Sequence, residues 1–306
     1  WQGLLRPRRQ VLHRRLAQAL ESEAGSQSGN LQLLAHHWEE AGDLKRAFNY
    51  WFEHGTQAVT ISQWEMAKAA FKQAERLMEQ IDSDLSDDQV YQLLHGWAGT
   101  YFYTMDVDQL RQVCQKMLRA GERRSSARMM GAALRLTADA DTITHQPAQG
   151  LVNIERAMTY LEPLQDVYEL VAAQSCRGLC LWQLGRYPEA VAAWTLSASL
   201  SVNEPAVSAR AAGLFARIRL ATAHVRMGWP RKAEQEARSL IHDSMELHRS
   251  VPTLFGRSIL SASLDRMGQH YMAIEIARAA QAAAQDSHNL GLIGNLLFIT
   301  ASAQIQ

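Results

Sequence analysis

The feature that most constrains this chain is a turn that recurs at a near-constant interval with the same residue types around it. The clearest copy runs Leu181-Trp182-Gln183-Leu184-Gly185-Arg186-Tyr187-Pro188-Glu189-Ala190-Val191-Ala192-Ala193-Trp194. Leu181 and Leu184, three apart, are expected on one face of a helix. Gly185 is the residue type that most readily takes the left-handed conformation that ends one. Pro188 suits the first turn of a second helix, where its missing N–H costs nothing. Ala190, Trp194 and Ser197 then recur at i, i+4 and i+7, the stripe that such a helix buries.

The same order returns along the chain, with an apolar or small residue five positions after the turn and others at nine and twelve. Gly42 gives Ala47, Trp51 and His54; Ser62 gives Ala67, Phe71 and Ala74; Gly228 gives Ala233, Ala237 and Leu240; Gly268 gives Ala273, Ala277 and Ala280. Two weaker copies follow Met105 (Leu110, Cys114, Met117) and His145 (Gly150, Ile154, Ala157). Seven residues before each turn stands a small residue: Ala35, Gly55, Ala98, Ala138, Gly178, Ala221 and Ser261. Successive turns are 20, 43, 40, 40, 43 and 40 residues apart. A helix–turn–helix unit repeated near this period cannot bury its apolar stripe alone, but stacked copies can. The pattern predicts an all-α solenoid of about seven helix pairs. The interval of 20 predicts one short unit whose first helix lies near Phe52 to Ile61.

The stretch Gly185-Arg186-Tyr187-Pro188-Glu189-Ala190, with the small and aromatic columns around it, resembles the tetratricopeptide repeat (TPR). The resemblance spans about residues 30 to 306 and is most specific at Gly42, Ser62, Gly185 and Gly228. The period exceeds that family's usual value of about 34. That implies longer helices, as in the repeats of large bacterial signalling ATPases and of kinesin light chains. The resemblance implies a right-handed superhelix whose concave groove binds a protein or peptide. First-helix residues ten, six, three and two before each turn would line it. Mapped here, these are His95, Phe102, Tyr103, Arg135, Asp139, Trp182, Gln183, Arg226, Asp265 and Arg266. Aromatic and arginine side chains suit interface anchors, so Tyr103, Arg135, Trp182 and Arg226 are expected to carry most of the binding.

Residues 4 to 21 form a basic amphipathic stretch. Leu4, Leu5, Val11, Leu12, Leu16, Ala19 and Leu20 fall on one side, with Arg6, Arg8, Arg9, Arg14 and Arg15 elsewhere, and Pro7 opens the helix. Its basic face is simply solvated, set against an acidic neighbour domain or a nucleotide phosphate, or, as the remaining alternative, in contact with nucleic acid. Glu21 to Asn30, rich in Gly and Ser, reads as a linker. The run Val11-Leu12-His13-Arg14-Arg15-Leu16-Ala17-Gln18-Ala19-Leu20-Glu21, followed by Leu34-Ala35-His36-His37-Trp38-Glu39-Glu40-Ala41-Gly42, is similar to the junction after the ATPase module of large AAA/STAND-type signalling proteins. Those are often fused to an adenylate or guanylate cyclase or a kinase domain. This resemblance implies an upstream ATPase or cyclase domain of the same chain, a basic helix and linker over 1–28, and the solenoid over 29–306. The next turn is due near residue 308, so the chain is expected to stop inside a repeat. Leu292, Ile293, Leu296, Leu297 and Ile299 would then be open to self-association through the C-terminal end.

Other classes of function find little support. Thirty-one basic and thirty-one acidic residues leave no net charge, which makes nucleic acid an improbable partner. No run of 18 apolar residues exists to span a membrane. Cys114, Cys176 and Cys180 lack disulfide-type spacing, which points to the reducing cytoplasm. Cys176 and Cys180, at i and i+4, read as small core residues. His36 and His37 are adjacent, so they point to different faces, and no metal site is expected. The acids between Asp82 and Asp88 lack the Gly and the terminal Glu of a calcium loop. Ser86 or Asp87 is better read as a helix N-cap. Asp139 and Asp141, two apart, do not share a helix face. No phosphate loop, dinucleotide fingerprint or nucleophile elbow is present. The expectation is a non-enzymatic interaction or sensor segment of a cytoplasmic signalling ATPase, without cofactor. The alternatives are a stand-alone TPR scaffold and the small-ligand-sensing solenoid of a transcription activator.

Overall fold

A computed structural model describes residues 6–23 and 30–286, which form fourteen α-helices and no strand. The chain divides into two compact units, residues 1–144 and 145–306. The first holds α1 (Arg6–Glu23), α2 (Leu31–Glu40), α3 (Leu44–Thr60), α4 (Trp64–Ile81), α5 (Asp87–Tyr103), α6 (Val107–Arg124) and α7 (Ala127–Ile143). The second holds α8 (Pro147–Leu161), α9 (Val167–Gln183), α10 (Tyr187–Val202), α11 (Val207–Arg226), α12 (Pro230–Glu246), α13 (Ser250–Arg266) and α14 (His270–Asp286). Within each unit every helix packs on the next. In the second unit α9 also touches α11, and α11 touches α13, so alternate helices share one layer. The first unit repeats this with α3, α5 and α7.

The turns are where the spacing put them. Gly42, Gly185, Gly228 and Gly268 have φ between 76° and 81°. Ser62, Met105 and His145 hold the same left-handed conformation at 57°, 58° and 55°, although each carries a Cβ. Two backbone hydrogen bonds close the turn at Met105: its N–H donates to Phe102 O at 3.2 Å, and Asp106 N–H to Tyr101 O at 3.0 Å. This pairing satisfies carbonyls that a helix end would leave open. The following helix starts on a cap: Asp106 accepts from Gln109 N–H, and Ser86 with Gln89 forms a reciprocal capping box at the start of α5. Pro147, Pro188 and Pro230 stand in the first turns of α8, α10 and α12. Left-handed residues also occur at Ser125, Gln165 and His248, between one helix pair and the next, where no repeated flank announced them.

The small residue seven positions before each turn is buried in all seven copies. Gly178 and Gly55 show why. A Cβ on Gly178 would come within 2.4 Å of Trp194 Nε1, and one on Gly55 within 2.6 Å of Phe71 Cδ1. The large residue of the second helix thus fills the space that the small residue of the first leaves. The second-helix stripes are buried in every copy except at Gly42, where Trp51 and His54 are only half-buried. The interval of 20 explains this. α3 follows the Gly42 turn, but it is also the first helix of the pair closed at Ser62. Of its buried residues, Ala47 stands in the stripe of the Gly42 copy, whereas Gly55 faces Phe71 of α4 in the second pairing. The first helix is therefore all of α3, not a short segment near Phe52 to Ile61.

Three further expectations change. Leu184 lies beyond the end of α9 and is exposed, so it does not share the buried face of Leu181. On α1 the leucine-rich side is not the packed side: Val11, Leu12 and Leu16 are exposed, whereas His13 and Ala17 are buried. Glu21 completes that contact, accepting from Trp38 Nε1 at 2.9 Å and from Tyr50 Oη at 2.7 Å. Three of the four acids of residues 82–88 are matched by arginines: Arg124 pairs with Asp82 and Asp87 at 2.8 Å each, and Arg128 with Asp88 at 3.0 Å. Cys114, Cys176 and Cys180 are buried thiols. The expected last helix with Leu292, Ile293, Leu296, Leu297 and Ile299, the residues Leu4 and Leu5, and the boundary between 28 and 29 lie outside the described residues.

Candidate partner-binding faces

The ten residues mapped to the groove divide evenly between the units. In the first unit the structure joins three of them. Arg135 on α7 donates from Nη2 to His95 Nε2 on α5 at 3.0 Å and from Nη1 to Asp139 Oδ2 at 3.2 Å. Guanidinium has no acceptor, so His95 accepts through Nε2 and carries its proton on Nδ1. His95 stacks on Tyr91 with ring centres 5.2 Å apart, and the Arg128 guanidinium lies 3.9 Å from the Tyr91 ring centre. A continuous ladder of charge and aromatic contacts thus runs from Asp88 through Arg128, Tyr91, His95 and Arg135 to Asp139. Arg135 is only 4% exposed, so it is part of the packing between α5 and α7 rather than a solvated side chain. Cys114 sits behind it on α6, its thiol pushed up to about 12 by burial. Phe102 and Tyr103 make an edge contact at 5.6 Å, and the exposed Tyr103 stacks on Trp64 at 5.2 Å.

In the second unit Trp182 is half-buried against Tyr187 and Trp194, with ring centres 4.6 and 5.6 Å away. Asp265 is paired with His270 Nδ1 at 2.7 Å across the Gly268 turn. Gln183, Arg226 and Arg266 are exposed, each two residues before its turn at the end of α9, α11 or α13. Tyr187, Trp229 and Tyr271 stand exposed just after the same three turns. This edge carries an aromatic ring in every pair, with cations beside them; Lys232 Nζ lies 5.7 Å from the Trp229 ring centre.

A groove that the sequence mapping missed lies between α3 and α5. Its volume is about 370 Å³, and it is lined by Phe48, Asn49, Phe52, Glu53 and Thr56 of α3 with Gln89 and Gln92 of α5. Phe48 and Phe52 stack nearly parallel, 6.4 Å apart, and form the apolar wall. Gln89 Nε2 donates to Asn49 Oδ1 at 3.3 Å across it. The signal was present. Phe52 and Thr56 stand ten and six residues before Ser62, the same columns that gave His95, Arg135 and Asp139. The groove columns were mapped only at the later turns and not at Ser62, which left them out.

No protein-family model matches the chain, and no curated protein matches it in sequence. Solved structures do match its fold. A Rap protein complexed with Competence and Sporulation Factor aligns with 99% of this chain and 95% of its own, at a TM-score of 0.61 and 14% identity. A STAND-class signal-transduction ATPase with a tetratricopeptide repeat sensor, from Pyrococcus horikoshii, aligns with 97% of this chain at a TM-score of 0.58 and 10% identity. The alignment takes in 49% of that protein. A putative kinesin light chain with TPR-like repeats, from Podospora anserina, aligns with 67% of this chain at 0.50 and 15% identity. At these identities the likeness is one of fold. The fold is an all-α, TPR-like helix-pair solenoid.

Proposed function

We propose that this chain is a non-catalytic interaction module that binds a protein or peptide segment on its first-helix faces. The observation that carries this reading is the α3–α5 groove. The carboxamides of Asn49 and Gln92 each carry both donor and acceptor groups, the complement of a peptide backbone, while Gln89 is committed to the cap of α5 and holds Asn49 in place. Phe48 and Phe52 beside them offer an apolar wall for a side chain. In the second unit Gln183, Arg226 and Arg266 are exposed first-helix residues and would offer a binding face of that unit's own. The buried Arg135–His95–Asp139 group would hold α5 and α7 in register for the α3–α5 groove. Among the described residues no helix is long and apolar enough to cross a membrane, and three buried thiols fit a reducing cytoplasm. The likeness to the STAND-class protein with a repeat sensor supports the finer reading, a sensor segment of a larger signalling ATPase. A phosphate-binding loop encoded upstream of Trp1 is what that finer reading requires.

The test is affinity capture from the source cell with wild type, Asn49→Ala/Gln92→Ala, Arg226→Glu/Arg266→Glu and an outer-face control, Arg238→Ala. All four are first shown by circular dichroism to be folded. Partners that bind the first-helix faces are lost with the groove pair or the arginine pair and kept with the control. Equal recovery by all four removes these faces from the function.

A further inference from the structure

We propose that the outward face of α1 is a docking seam for an acidic amphipathic α-helix of a protein partner. The inward face of α1 is fixed by its contacts. His13 and His37 of α2 share a hydrogen bond of 2.8 Å between their Nδ1 atoms, Ala17 is buried, and Glu21 accepts from Trp38 of α2 and Tyr50 of α3. This anchorage decides what faces outward. At about 100° per residue, Arg8, Leu12, Arg15 and Ala19 fall within about 60° of one another, on the side opposite Ala17. All four are exposed. Their spacing of four, three and four residues is that of a seam along which one helix packs on another. Val11 and Leu16 flank the seam on either side, 50% and 39% exposed.

The charge of this face selects the partner. Five arginines stand between residues 6 and 15, and α1 carries no acid before Glu21. The acids beside α1 are already engaged: Glu40 pairs with Arg9, and Glu21 with Trp38, Tyr50 and Arg46. Arg6, Arg8, Arg14 and Arg15 are exposed and have no ion pair among the described residues. A second copy of the chain does not suit this face, because α1 against α1 brings two arginine rows together. A lipid surface does not suit it either, because Arg8 and Arg15 lie in the middle of the exposed stripe rather than on a polar face of their own. A nucleic acid would pair with the arginines through its phosphates and leave Val11, Leu12 and Leu16 uncovered. A helix with Glu or Asp opposite Arg8 and Arg15, and aliphatic residues opposite Val11, Leu12 and Leu16, satisfies both kinds of group. It forms charge-assisted pairs with the arginines and removes the apolar side chains around them from water. This contact lies outside the first-helix faces of the helix pairs and is independent of them.

The test uses the whole chain and a defined probe: a fluorescein-labelled helical peptide about three heptads long, with Leu and Glu alternating along its seam. A scrambled peptide of the same composition is the control. Fluorescence anisotropy should find saturable binding of the patterned peptide, and binding of the scrambled one weaker by about tenfold or more. Arg8→Glu/Arg15→Glu and Leu12→Gln/Leu16→Gln, each shown to be folded by circular dichroism, should weaken the patterned peptide by about tenfold or more. A peptide with Lys in place of Glu should prefer Arg8→Glu/Arg15→Glu to wild type, an exchange that a damaged fold cannot produce. Arg226→Glu/Arg266→Glu should bind as wild type does, which separates this seam from the exposed arginines of the second unit. The proposal fails if the patterned peptide does not bind, or if the scrambled peptide binds equally well. It fails if either double variant of α1 binds as wild type does. It also fails if phosphatidylserine vesicles or a short DNA duplex hold wild type more tightly than the peptide does and lose Arg8→Glu/Arg15→Glu.

Discussion

Gly178→Ala tests the packing rule on which the whole repeat rests. Gly178 lies on α9 opposite Trp194 of α10. A methyl group there would stand 2.4 Å from Trp194 Nε1, 2.5 Å from Cδ1 and 2.8 Å from Cε2. The indole has little space to retreat. It is 2% exposed, and its Nε1 donates to Ser175 O at 3.0 Å. Overpacking of this kind costs about 1–3 kcal/mol. Pulling the indole away would break a buried hydrogen bond and leave a donor unsatisfied, a further loss of about 1–3 kcal/mol. Against this, alanine in a helix interior gains about 1 kcal/mol over glycine. The net expectation is a loss of about 1–5 kcal/mol. Gly99 on α5 is the control, because a Cβ there meets nothing within 4 Å. Gly99→Ala gains the same propensity without the clash and should stabilise by up to about 1 kcal/mol. Urea denaturation followed by circular dichroism reads both. In a Trp194→Ala background the clash is gone, and Gly178→Ala should become neutral or stabilising, a coupling visible in a double-mutant cycle. A Gly178→Ala chain as stable as wild type, or one equally destabilised with and without Trp194, refutes the reasoning.

Other outcomes follow from the same geometry. Arg135→Ala should destabilise by about 3–5 kcal/mol by breaking its buried ion pair with Asp139 and its hydrogen bond to His95, whereas exposed Arg226→Ala should change stability by less than about 0.5 kcal/mol. Met105→Gly should stabilise by about 1 kcal/mol, because Met105 is exposed and pays the left-handed penalty that glycine avoids; an unchanged or lower melting temperature would contradict this. Tyr50 is pushed up to about 12, by burial first and then by its hydrogen bond to the Glu21 carboxylate. Its folded value lies above the unfolded one near 10, so its contribution is complete below pH about 10 and is lost as pH rises toward about 12. Tyr50→Phe should lack that alkaline component, seen as a flatter fall of the urea midpoint across this window.

The turns were legible because their chemistry is local. A left-handed residue followed by a cap and preceded by a small contact residue leaves the same mark wherever it occurs. That is why even Met105 and His145 could be placed. What was lost was lost for identifiable reasons. Two turns 20 residues apart give α3 two roles, which blurs its buried stripe, and the groove columns were not mapped at Ser62, so the α3–α5 groove with Phe52 and Thr56 was missed. α1 defeats a hydropathy count because its contact is made by His13, Ala17 and Glu21, while three larger apolar side chains face outward. The turns at Ser125, Gln165 and His248 join pairs rather than close them, and nothing repeats around them.

Exposure separates the mapped residues in a way that spacing cannot. Position fixes which helix layer a residue belongs to, and His95, Arg135 and Arg226 all fall on first helices. Whether such a residue reaches a partner depends on what the adjacent first helix offers it. α5 presents His95 to Arg135, and α7 itself supplies Asp139, so a cation at this position is drawn into the seam and its charge is spent internally. Arg226 and Arg266 instead sit at the last residue of their helices, past the side-by-side contact, and remain exposed. An alanine scan across the layer would therefore give two kinds of signal. Loss of binding with Arg135→Ala would report a disturbed α5–α7 seam, and loss with Arg226→Glu at unchanged stability would report a contact. Only variants of the second kind, with Asn49 and Gln92 in the first unit, measure recognition directly.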